Sequence, residues 1–435
     1  MFRRIFIQAV NLIRQNPLFS MFYVAGTGFA IAMVMVVAII CYIRVADIYP
    51  ETNRSRMLIA DGGHMQDTEN KGNNTTSSFS YPFVRDCFYP LKGVEAVSAF
   101  GISAPVRYVH LPGSLKLLPA ATRTTDAAFW KVFNFRFMDG KPFTQADFAG
   151  GVCTAVISEA LARRLFGTKT AAGRTIHLDN RDYRVCGVVK TPSQATYTSY
   201  AEVWIPFTTS PDYDKSYLGA LGGRLQVAIL LHKISDEPMV QEQVDDYVRR
   251  FNLMPHEGYK LLMHGKPYEY WETLFATSKG GMEDLDYAGV IKQLGLLILL
   301  LLVVPAFNLS GLISGRMNTR MEEVGIRKAF GATSGVLFGE LLWENLLLTL
   351  LGGVFGLLLS LGIVFGAKNW LFAFADARLA NMDNLSIGIT PEMLFNLPLF
   401  LVTLAVCIVL NLISAFVPTL IALRSPIIYS LNKKG

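Results

Sequence analysis

The residue types that most often carry catalysis are scattered along this chain of 435 residues. Its six histidines form no His-Glu-x-x-His pattern, and its serines form no Gly-x-Ser-x-Gly pattern. Each of those patterns would place a metal ligand or a nucleophile on a defined local turn or helix face. Without these patterns no set of catalytic residues can be named. The sequence therefore disfavours the hypothesis that the chain is a membrane-anchored enzyme that acts outside the cell membrane. The histidines are His64, His110, His177, His232, His256 and His264.

The five cysteines predict neither a disulfide framework nor a metal site. Cys41 and Cys407 lie inside long apolar runs, and the other three occur in the polar part of the chain without CxxC spacing. The pairing state of Cys87, Cys153 and Cys186 stays open at this point.

A nucleotide-binding loop is also missing from the sequence. The pattern Gly-x-x-x-x-Gly-Lys-[Ser/Thr], whose backbone N–H groups cradle phosphates, does not occur. Only residues 1–17 precede the first apolar run, so we expect no nucleotide-binding domain there. The sequence therefore predicts that this chain holds no cofactor and does not itself hydrolyse ATP.

The most informative residues lie in the segment 316–344, between two long apolar runs. Glu323 and Arg327 are spaced four residues apart in the order that favours an ion pair on a helix, and Gly331 can end that helix. The segment also carries the apolar side chains of Val324, Ile326 and Phe330. Either a partner protein covers these side chains, or they dip into lipid headgroups.

Two acidic residues follow on the next helix. Glu340 and Glu344 are four residues apart, so like charges share one helical face. We expect Arg320 or another basic residue to offset them.

The composition is that of a membrane protein. Hydrophobic residues make up 51% of the chain and charged residues 17%, against about 25% charged residues in ordinary soluble proteins. About 20 apolar residues are needed to cross a bilayer as a helix. Runs of that length predict four transmembrane helices, at 18–43, 293–315, 345–367 and 393–423.

Basic residues near these runs predict the orientation. Arginines and lysines lie close to the predicted spans in segments 1–17, 316–344 and 424–435, the first of them without any acid, and basic residues in short loops stay in the cytoplasm. Segments 44–292 and 368–392 then face outward. The fold class is thus an α-helical membrane protein with a large extracytoplasmic α+β domain between the first two spans.

The segment 44–292 is large enough for one or two folded subdomains. Its residues 61–80 are rich in Gly, Asn, Thr and Ser, which predicts a loop or a weak edge hairpin. Alternating residues predict strands at Thr154–Ser158, Thr175–Leu178, Tyr183–Val189 and Leu225–Leu231. Helices are predicted at Glu159–Phe166, between an N-cap Ser158 and Gly167, and at Glu237–Phe251. An aromatic cluster is predicted to be core: Phe129, Trp130, Phe133, Phe135 and Phe137.

None of the four predicted spans contains a charged residue, which disfavours a solute path through them. What they do contain is glycine at four-residue spacing, a pattern that lets helices approach closely. These glycines are Gly311 and Gly315 in the second span and Gly352 and Gly356 in the third. Packing within one chain and a dimer seam both remain open.

The stretch from Glu322 to Ala332, EEVGIRKAFGA, resembles the pattern R-E-I-G-I-R-K-A-x-G-A of the FtsX-like permease family, in particular its four-span MacB-type branch. The resemblance extends to Val156–Gly167, to Tyr183–Val189 and to the closing Arg424-Ser-Pro-Ile427. Two departures are Glu340, where the family often has Gln, and Ser430, where it usually has Ala. The residues that the resemblance assigns to coupling with an ATPase are Glu322, Glu323, Val324, Gly325, Ile326, Arg327, Lys328, Ala329, Phe330, Gly331 and Ala332.

The resemblance implies a permease subunit of an ABC transporter in the bacterial inner membrane, with both termini cytoplasmic. ATP and magnesium would be bound by a separate ATPase subunit, and two permease copies, or this chain and a paralogue, would form a dimer. The expected activity is mechanotransmission to a periplasmic MacB-type domain for export of a drug, peptide or other cargo, with or without a periplasmic adaptor and an outer-membrane channel. The alternatives are a regulatory permease that activates a cell-wall hydrolase and a lipoprotein-release permease. No nucleic acid is expected as a partner.

Overall fold

The computed structural model describes residues 17–68, 74–217, 221–254, 258–263, 267–279, 282–297, 299–300, 326–380, 386–394 and 396–424. The chain divides into two compact units. We call them the helical unit, drawn from Met1–Cys41, Ala288–Leu371 and Thr390–Gly435, and the globular unit, drawn from Tyr42–Tyr287 and Phe372–Ile389.

Long apolar helices dominate the helical unit. Two described helices are long and apolar enough to cross a bilayer, over Ser20–Val45 and Ser334–Ala375. The predicted third span, 345–367, lies within the second of them, and the predicted first span, 18–43, lies within the helix Pro17–Val45. Across both units, the α-helices are α1 (Pro17–Val45), α2 (Tyr81–Phe83), α3 (Phe129–Val132), α4 (Gln145–Ala149), α5 (Glu159–Phe166), α6 (Glu237–Phe251), α7 (287–297), α8 (Ser334–Ala375), α9 (Ala377–Ala380), α10 (Pro391–Leu394) and α11 (Leu397–Arg424).

The predicted fourth span, 393–423, overlaps α11. Most of the predicted second span, 293–315, lies outside the described residues. The count of four spans therefore stays a prediction. The third span is longer than expected, since α8 has 42 residues and is interrupted only at Ala367, where φ is −112° and ψ is 15°.

Helices α1 and α8 pack with their backbones in close contact. A Cβ atom added at Gly356 would lie 2.6 Å from the carbonyl oxygen of Gly28, and one added at Gly28 would lie 2.9 Å from that of Gly352. Gly352 and Gly356 thus lie in a helix contact within the chain. Gly311 and Gly315 lie outside the described residues.

The globular unit is built on a mixed sheet. The described strands are β1 (Met57–Ala60), β2 (Gly63–Asp67), β3 (Asn74–Phe79), β4 (Val94–Gly101), β5 (Val106–His110), β6 (Leu118–Thr125), β7 (Phe137–Gly140), β8 (Thr154–Ser158), β9 (Thr175–Leu178), β10 (Arg181–Val189), β11 (Val203–Pro206), β12 (Gly222–Gly223), β13 (Leu225–Leu231), β14 (Tyr259–Leu262), β15 (Tyr268–Glu269), β16 (Ala276–Lys279) and β17 (Met282–Leu285). The main path through the sheet has the order β11-β8-β10-β9-β5-β6-β4-β13-β3-β2-β14.

Six of these strands close into a ring, which we call the barrel lobe. β11 pairs in parallel with β6 and antiparallel with β8, so the path from β6 through β5, β9, β10 and β8 returns to its start. The ring and α5 enclose a core of buried aliphatic side chains that includes Ile157, Leu161 and Val188. Closure leaves the ring without an open edge.

Strands β1–β4 and β12–β15 form a second lobe, in which β13 is paired with both β1 and β4. Strand β7 pairs with β10, and β16 and β17 form a separate two-stranded sheet. Helix α6 packs against this sheet through the buried side chains of Val240, Val244 and Val248. Their spacing of four residues places them on one face of the helix. The predicted aromatic core is confirmed, because Phe129 and Phe133 are fully buried and the other three aromatic rings pack against them.

The predicted ends of α5 and the predicted strands of the globular unit are confirmed. Ser158 accepts a hydrogen bond from the N–H of Leu161, and Gly167 ends α5 with φ of 69°. The predicted strands and α6 are present, and the polar segment 61–80 contains the hairpin β2–β3. Cys87, Cys153 and Cys186 are free thiols.

The glycine contact between α1 and α8 makes the first prediction. We expect Gly356→Ala to lower the stability of the helical unit by about 1–3 kcal/mol, because the added methyl group would force two helices apart. The midpoint of thermal unfolding of the full chain in nanodiscs measures this. Gly362→Ala on the same helix is the matched control, since no atom lies within 4 Å of its added Cβ. Equal midpoints for the two variants would contradict the contact.

Candidate functional site

The described part of the predicted coupling segment is a helix, a tight turn and a second helix, which together we call the elbow (326–344). Residues 326–329 are helical, and Gly331 follows with φ of 92°. The N–H of Ala332 donates to the carbonyl of Arg327 at 3.0 Å, and the N–H of Gly331 donates to that of Lys328 at 3.0 Å. This pair of bonds is a Schellman motif, which needs a residue with positive φ and so favours glycine.

The elbow exposes apolar side chains in the structure. Phe330 is 89% exposed and Ile326 is 49% exposed, whereas Leu337 is buried against Ala332 and Phe338. The turn thus holds Ile326 and Phe330 away from the packed side of the elbow. Val324, the third apolar residue of the prediction, lies outside the described residues together with Glu322, Glu323 and Gly325.

An ion pair crosses the turn. Arg327 Nη1 lies 2.9 Å from Glu340 Oε2, with both side chains well exposed. The expectation that a basic residue offsets Glu340 is confirmed for Arg327, and Arg320 lies outside the described residues. Exposed pairs contribute only about 0–1 kcal/mol, so this contact orients the two helices more than it stabilises them. The predicted pair of Glu323 with Arg327 stays a prediction.

A second constellation, not predicted from the sequence, lies just after α1. Glu51 and Arg54 are both buried and form an ion pair, with Arg54 Nε donating to Glu51 Oε2 at 2.8 Å. The same carboxylate accepts from the hydroxyl of Tyr270 at 2.6 Å and from Ser199, through its N–H at 2.8 Å and its hydroxyl at 2.7 Å. Glu51 thereby ties together three distant parts of the globular unit.

Arg54 uses its other side to cap α1. Its Nη1 donates to the carbonyl oxygens of Ile43 at 2.8 Å and Ala46 at 2.9 Å. The last carbonyls of a helix have no partner within the helix and carry partial negative charge, so a cation there satisfies both needs. The guanidinium also lies 4.7 Å from the centre of the Tyr270 ring.

The pKa shifts of this pair reflect competition between burial and charge. Burial by itself would raise the pKa of Glu51, but the charge of Arg54 and the hydrogen bonds from Tyr270 and Ser199 outweigh it and hold the pKa below its ordinary value. Burial likewise would lower the pKa of Arg54, and its partners raise it. Both groups are therefore charged at neutral pH.

A third arginine contact connects the end of α1 with the end of α8. Arg44 Nη1 donates to the carbonyl of Ala375 at 3.0 Å, and its Nη2 lies 3.5 Å from Asp376 Oδ2 and donates to the carbonyl of Thr273 at 3.3 Å. Arg378 binds the same carboxylate through Nε at 3.0 Å and Nη2 at 2.9 Å. Burial would raise the pKa of Asp376, but Arg378 and Arg44 lower it.

We call these two clusters, Glu51–Arg54 and Arg44–Asp376, the joint. All of their residues belong to the globular unit, including the last turn of α1 and the end of α8. The joint fixes both helix ends to the sheet-forming part of that unit through buried, charge-assisted hydrogen bonds. The sequence shows Arg44 directly after a charge-free run, but nothing in it indicates that Arg44 meets a residue more than 330 positions away.

The described residues contain no cluster of three or more His, Cys, Asp or Glu side chains that could hold a metal ion. The rings of His110 on β5 and His177 on β9 lie with their centres 4.6 Å apart and are tilted by 47°, and His177 Nδ1 lies 2.8 Å from Asp182 Oδ1.

Two family models match the chain. One describes a MacB-like periplasmic core domain and matches residues 20–247, and the other describes an FtsX-like permease C-terminal region and matches residues 295–427. The first match alone spans more than half of the chain. The second includes the elbow.

Known relatives are distant in sequence. The chain is 24% identical over 273 residues to the macrolide export ATP-binding/permease protein MacB of Pasteurella multocida, covering 62% of this chain and 38% of that protein. It is 23% identical over 318 residues to the uncharacterized ABC transporter permease YknZ of Bacillus subtilis, covering 72% and 73%. The chain thus spans well under half of the first relative and about three quarters of the second.

Solved structures give weak matches. The extracellular domain of YknZ from Gram-positive bacteria is 16% identical, with a TM-score of 0.33 over 46% of this chain and 99% of that one. The periplasmic region of MacB from Actinobacillus actinomycetemcomitans is 14% identical, with a TM-score of 0.34 over 48% and 89%.

The buried ion pair of the joint generates the second prediction. We expect Glu51→Gln to reduce the free energy of unfolding by about 3–5 kcal/mol, because it leaves the Arg54 charge buried without its partner. Because the pKa of Glu51 is lowered in the folded chain, its contribution is present at neutral pH and is lost as the pH falls below the ordinary carboxyl value of 4.5. The difference between the wild type and Glu51→Gln should therefore shrink in acid.

Unfolding of the full chain in nanodiscs, followed by tryptophan fluorescence at pH 7 and pH 4, measures this difference. The control is Glu159→Gln, which removes the surface pair of Glu159 with Arg163 at 2.8 Å and should change stability by about 0.5 kcal/mol at most. A Glu51→Gln variant as stable as that control would show that the pair does not hold the end of α1.

Proposed function

The chain belongs to the FtsX-like permeases that carry a MacB-like periplasmic core domain, and on that premise we propose that it is a mechanical permease subunit of an ABC transporter. In this proposal a separate ATPase subunit binds ATP and magnesium and docks on the elbow. Its movement is passed along the helices to the globular unit, which faces the periplasm and acts on cargo there. The membrane is the bacterial inner membrane.

One observation carries the proposal: two helical segments that meet at Ala367 link the predicted docking site to the joint along the chain. α8 begins at Ser334, directly after the elbow turn, and ends at Ala375, whose carbonyl accepts from Arg44. In the proposal a displacement of the elbow passes along these two segments, with Ala367 as the place where they can bend relative to each other.

The chemistry of the elbow suits docking to a protein. Ile326 and Phe330 provide exposed apolar contacts, Lys328 provides a charge beside them, and the Schellman turn fixes their directions. Exposed apolar side chains rimmed by charge are typical of protein interfaces. A groove on an ATPase is the partner that the family suggests.

The cargo class follows from the relatives by analogy. The MacB relatives are named for macrolide export, and we propose export of a drug-like or peptide cargo from the periplasm. In the described residues α1 has no charge between Pro17 and Ile43, and α8 has none between Asn345 and Ala367. Uncharged helices of this kind are better suited to transmitting movement than to lining a path for a polar solute.

The third prediction tests docking at the elbow. With Ile326→Cys or Phe330→Cys, we expect a short bifunctional thiol reagent to crosslink the permease to a cysteine placed in the groove of the co-expressed ATPase, because both positions are exposed. Leu337→Cys in the same elbow is the control, since Leu337 is only 4% exposed. Crosslinked bands on denaturing gels report the outcome. Crosslinking of Leu337→Cys as strong as that of Phe330→Cys would argue against docking of the ATPase on the exposed side of the elbow.

The fourth prediction tests force transfer through the joint. Arg44→Gln removes the contacts to Ala375, Asp376 and Thr273, so nucleotide-driven movement should reach α8 without moving the globular unit. In the complex with its ATPase, we expect ATP with vanadate to change hydrogen exchange in β1 and β13 of the wild type, and to change it several-fold less in Arg44→Gln.

Arg163→Gln is the matched control, because it removes a surface arginine of the same unit that is paired with Glu159. ATP hydrolysis by the partner is measured in parallel to show that the complex has formed. Nucleotide-dependent exchange in Arg44→Gln equal to that of the wild type would exclude the joint as the route.

A further inference from the structure

A cavity of about 850 Å³ lies in the globular unit, beside the barrel lobe. Its walls come from β5 and β6, from the first turns of α5, from segment 191–202 and from residues 386 and 388, after α8. This volume falls in the range of about 300–1,000 Å³ that small-molecule sites occupy. The predicted coupling residues do not line it, and from the joint it is lined by Arg378, which also binds the carboxylate of Asp376.

The lining of the cavity combines two kinds of side chain. Some are small and apolar, among them Ala104, Val106, Ala120 and Ala160. Others are arginines and tyrosines, among them Arg164, Arg378 and Tyr200. A ligand that matches this lining has an apolar part and a polar end.

The charges that line the cavity have an excess of cations. Its lining contains the guanidinium groups of Arg123, Arg164 and Arg378 and one carboxylate, that of Glu202. Arg164 Nη1 lies 2.7 Å from Glu202 Oε1, and Arg164 is partly exposed to solvent. The cavity therefore favours a ligand with negative charge.

Arg123 has no ion-pair partner among the described residues, although the charge of Glu51, which is paired with Arg54, acts to raise its pKa. Arg123 is fully buried, and its three hydrogen bonds all go to backbone carbonyls, those of Tyr200 at 3.0 Å, Gly101 at 2.6 Å and Tyr197 at 2.9 Å. Burial lowers the pKa of Arg123 to about 10, since it disfavours the charged form.

An uncompensated charge in a protein interior is costly, and its field is screened less than at the surface. Elsewhere in the globular unit, the carboxylate of Glu51 compensates the charge of the buried Arg54. Around Arg123, neutral carbonyl oxygens and the cavity occupy the positions that a paired carboxylate would take. An anionic group in the cavity would provide the missing charge next to a partly exposed Arg164.

We propose that this cavity binds an amphipathic molecule with one anionic group, a carboxylate or a phosphate, placed near Arg123, Arg164 and Arg378, with its apolar part against Ala104, Ala120 and Ala160. Two sources share this chemistry, a fatty-acid-like carboxylate and a lipid-like phosphate. The assignment stands apart from the proposed ATPase partner, because it concerns binding alone.

The test uses the full chain in nanodiscs of a zwitterionic phosphatidylcholine. Diazirine-bearing laurate and diazirine-bearing dodecyl phosphate are photolysed with the protein, and the labelled peptides are identified by mass spectrometry. We expect labelling of residues 103–106 and 119–121 by one or both probes, which also tells carboxylate from phosphate recognition. Excess unlabelled probe should remove this labelling, whereas dodecanol and inorganic phosphate should not.

Arg164→Gln should weaken competition by the unlabelled probe about tenfold. Arg163→Gln, one residue earlier on α5 and directed to Glu159 at the surface, should leave it unchanged. Ala160→Phe, which fills part of the cavity without altering charge, should abolish labelling at these peptides. The thermal unfolding midpoint of each variant is compared with the wild type to show that it is folded.

Three results would overturn the proposal. Competition by dodecanol as strong as that by laurate would mean an apolar site without charge recognition, and competition by inorganic phosphate would mean a small-anion site. Labelling that is unaffected in both Arg164→Gln and Ala160→Phe would place the probes in the nanodisc lipid or on another surface.

Discussion

The structure depends on a buried ion pair that forms at the end of the first long helix. Glu51 and Arg54 lie where water cannot solvate them, so each charge is tolerated only because the other and several hydrogen bonds are present. Since Arg54 also binds the carbonyls of Ile43 and Ala46, the last turn of α1 cannot move without disturbing this pair. The buried charges therefore act as a fixed point of attachment.

The same physical need recurs at α8. Its terminal carbonyls also lack partners within the helix, and one of them, that of Ala375, is satisfied by Arg44. Arginines are effective there, since one guanidinium reaches a carbonyl and a carboxylate together, as Arg44 does with Ala375 and Asp376.

The sequence predicts what is encoded locally. Ser158 and Gly167 delimit α5, Gly331 ends the first helix of the elbow, and the alternation in Thr154–Ser158 marks β8, because each signal acts within a few residues. Ring closure of the barrel lobe depends on pairing β6 with β11, about 80 residues apart, and the joint depends on contacts across 331 residues. No periodicity records such pairs, and a buried arginine looks like any other arginine in the sequence.

The two ends of α8 differ in how firmly they are held. At the elbow an exposed pair, Arg327 with Glu340, contributes about 0–1 kcal/mol and leaves Phe330 uncovered. At the joint the acidic partner Asp376 is buried between two arginines, so breaking its contacts leaves charge without solvent. The elbow therefore keeps an uncovered apolar surface that is available to the proposed partner, whereas the contacts of Asp376 hold the C-terminal end of α8 in place within the globular unit.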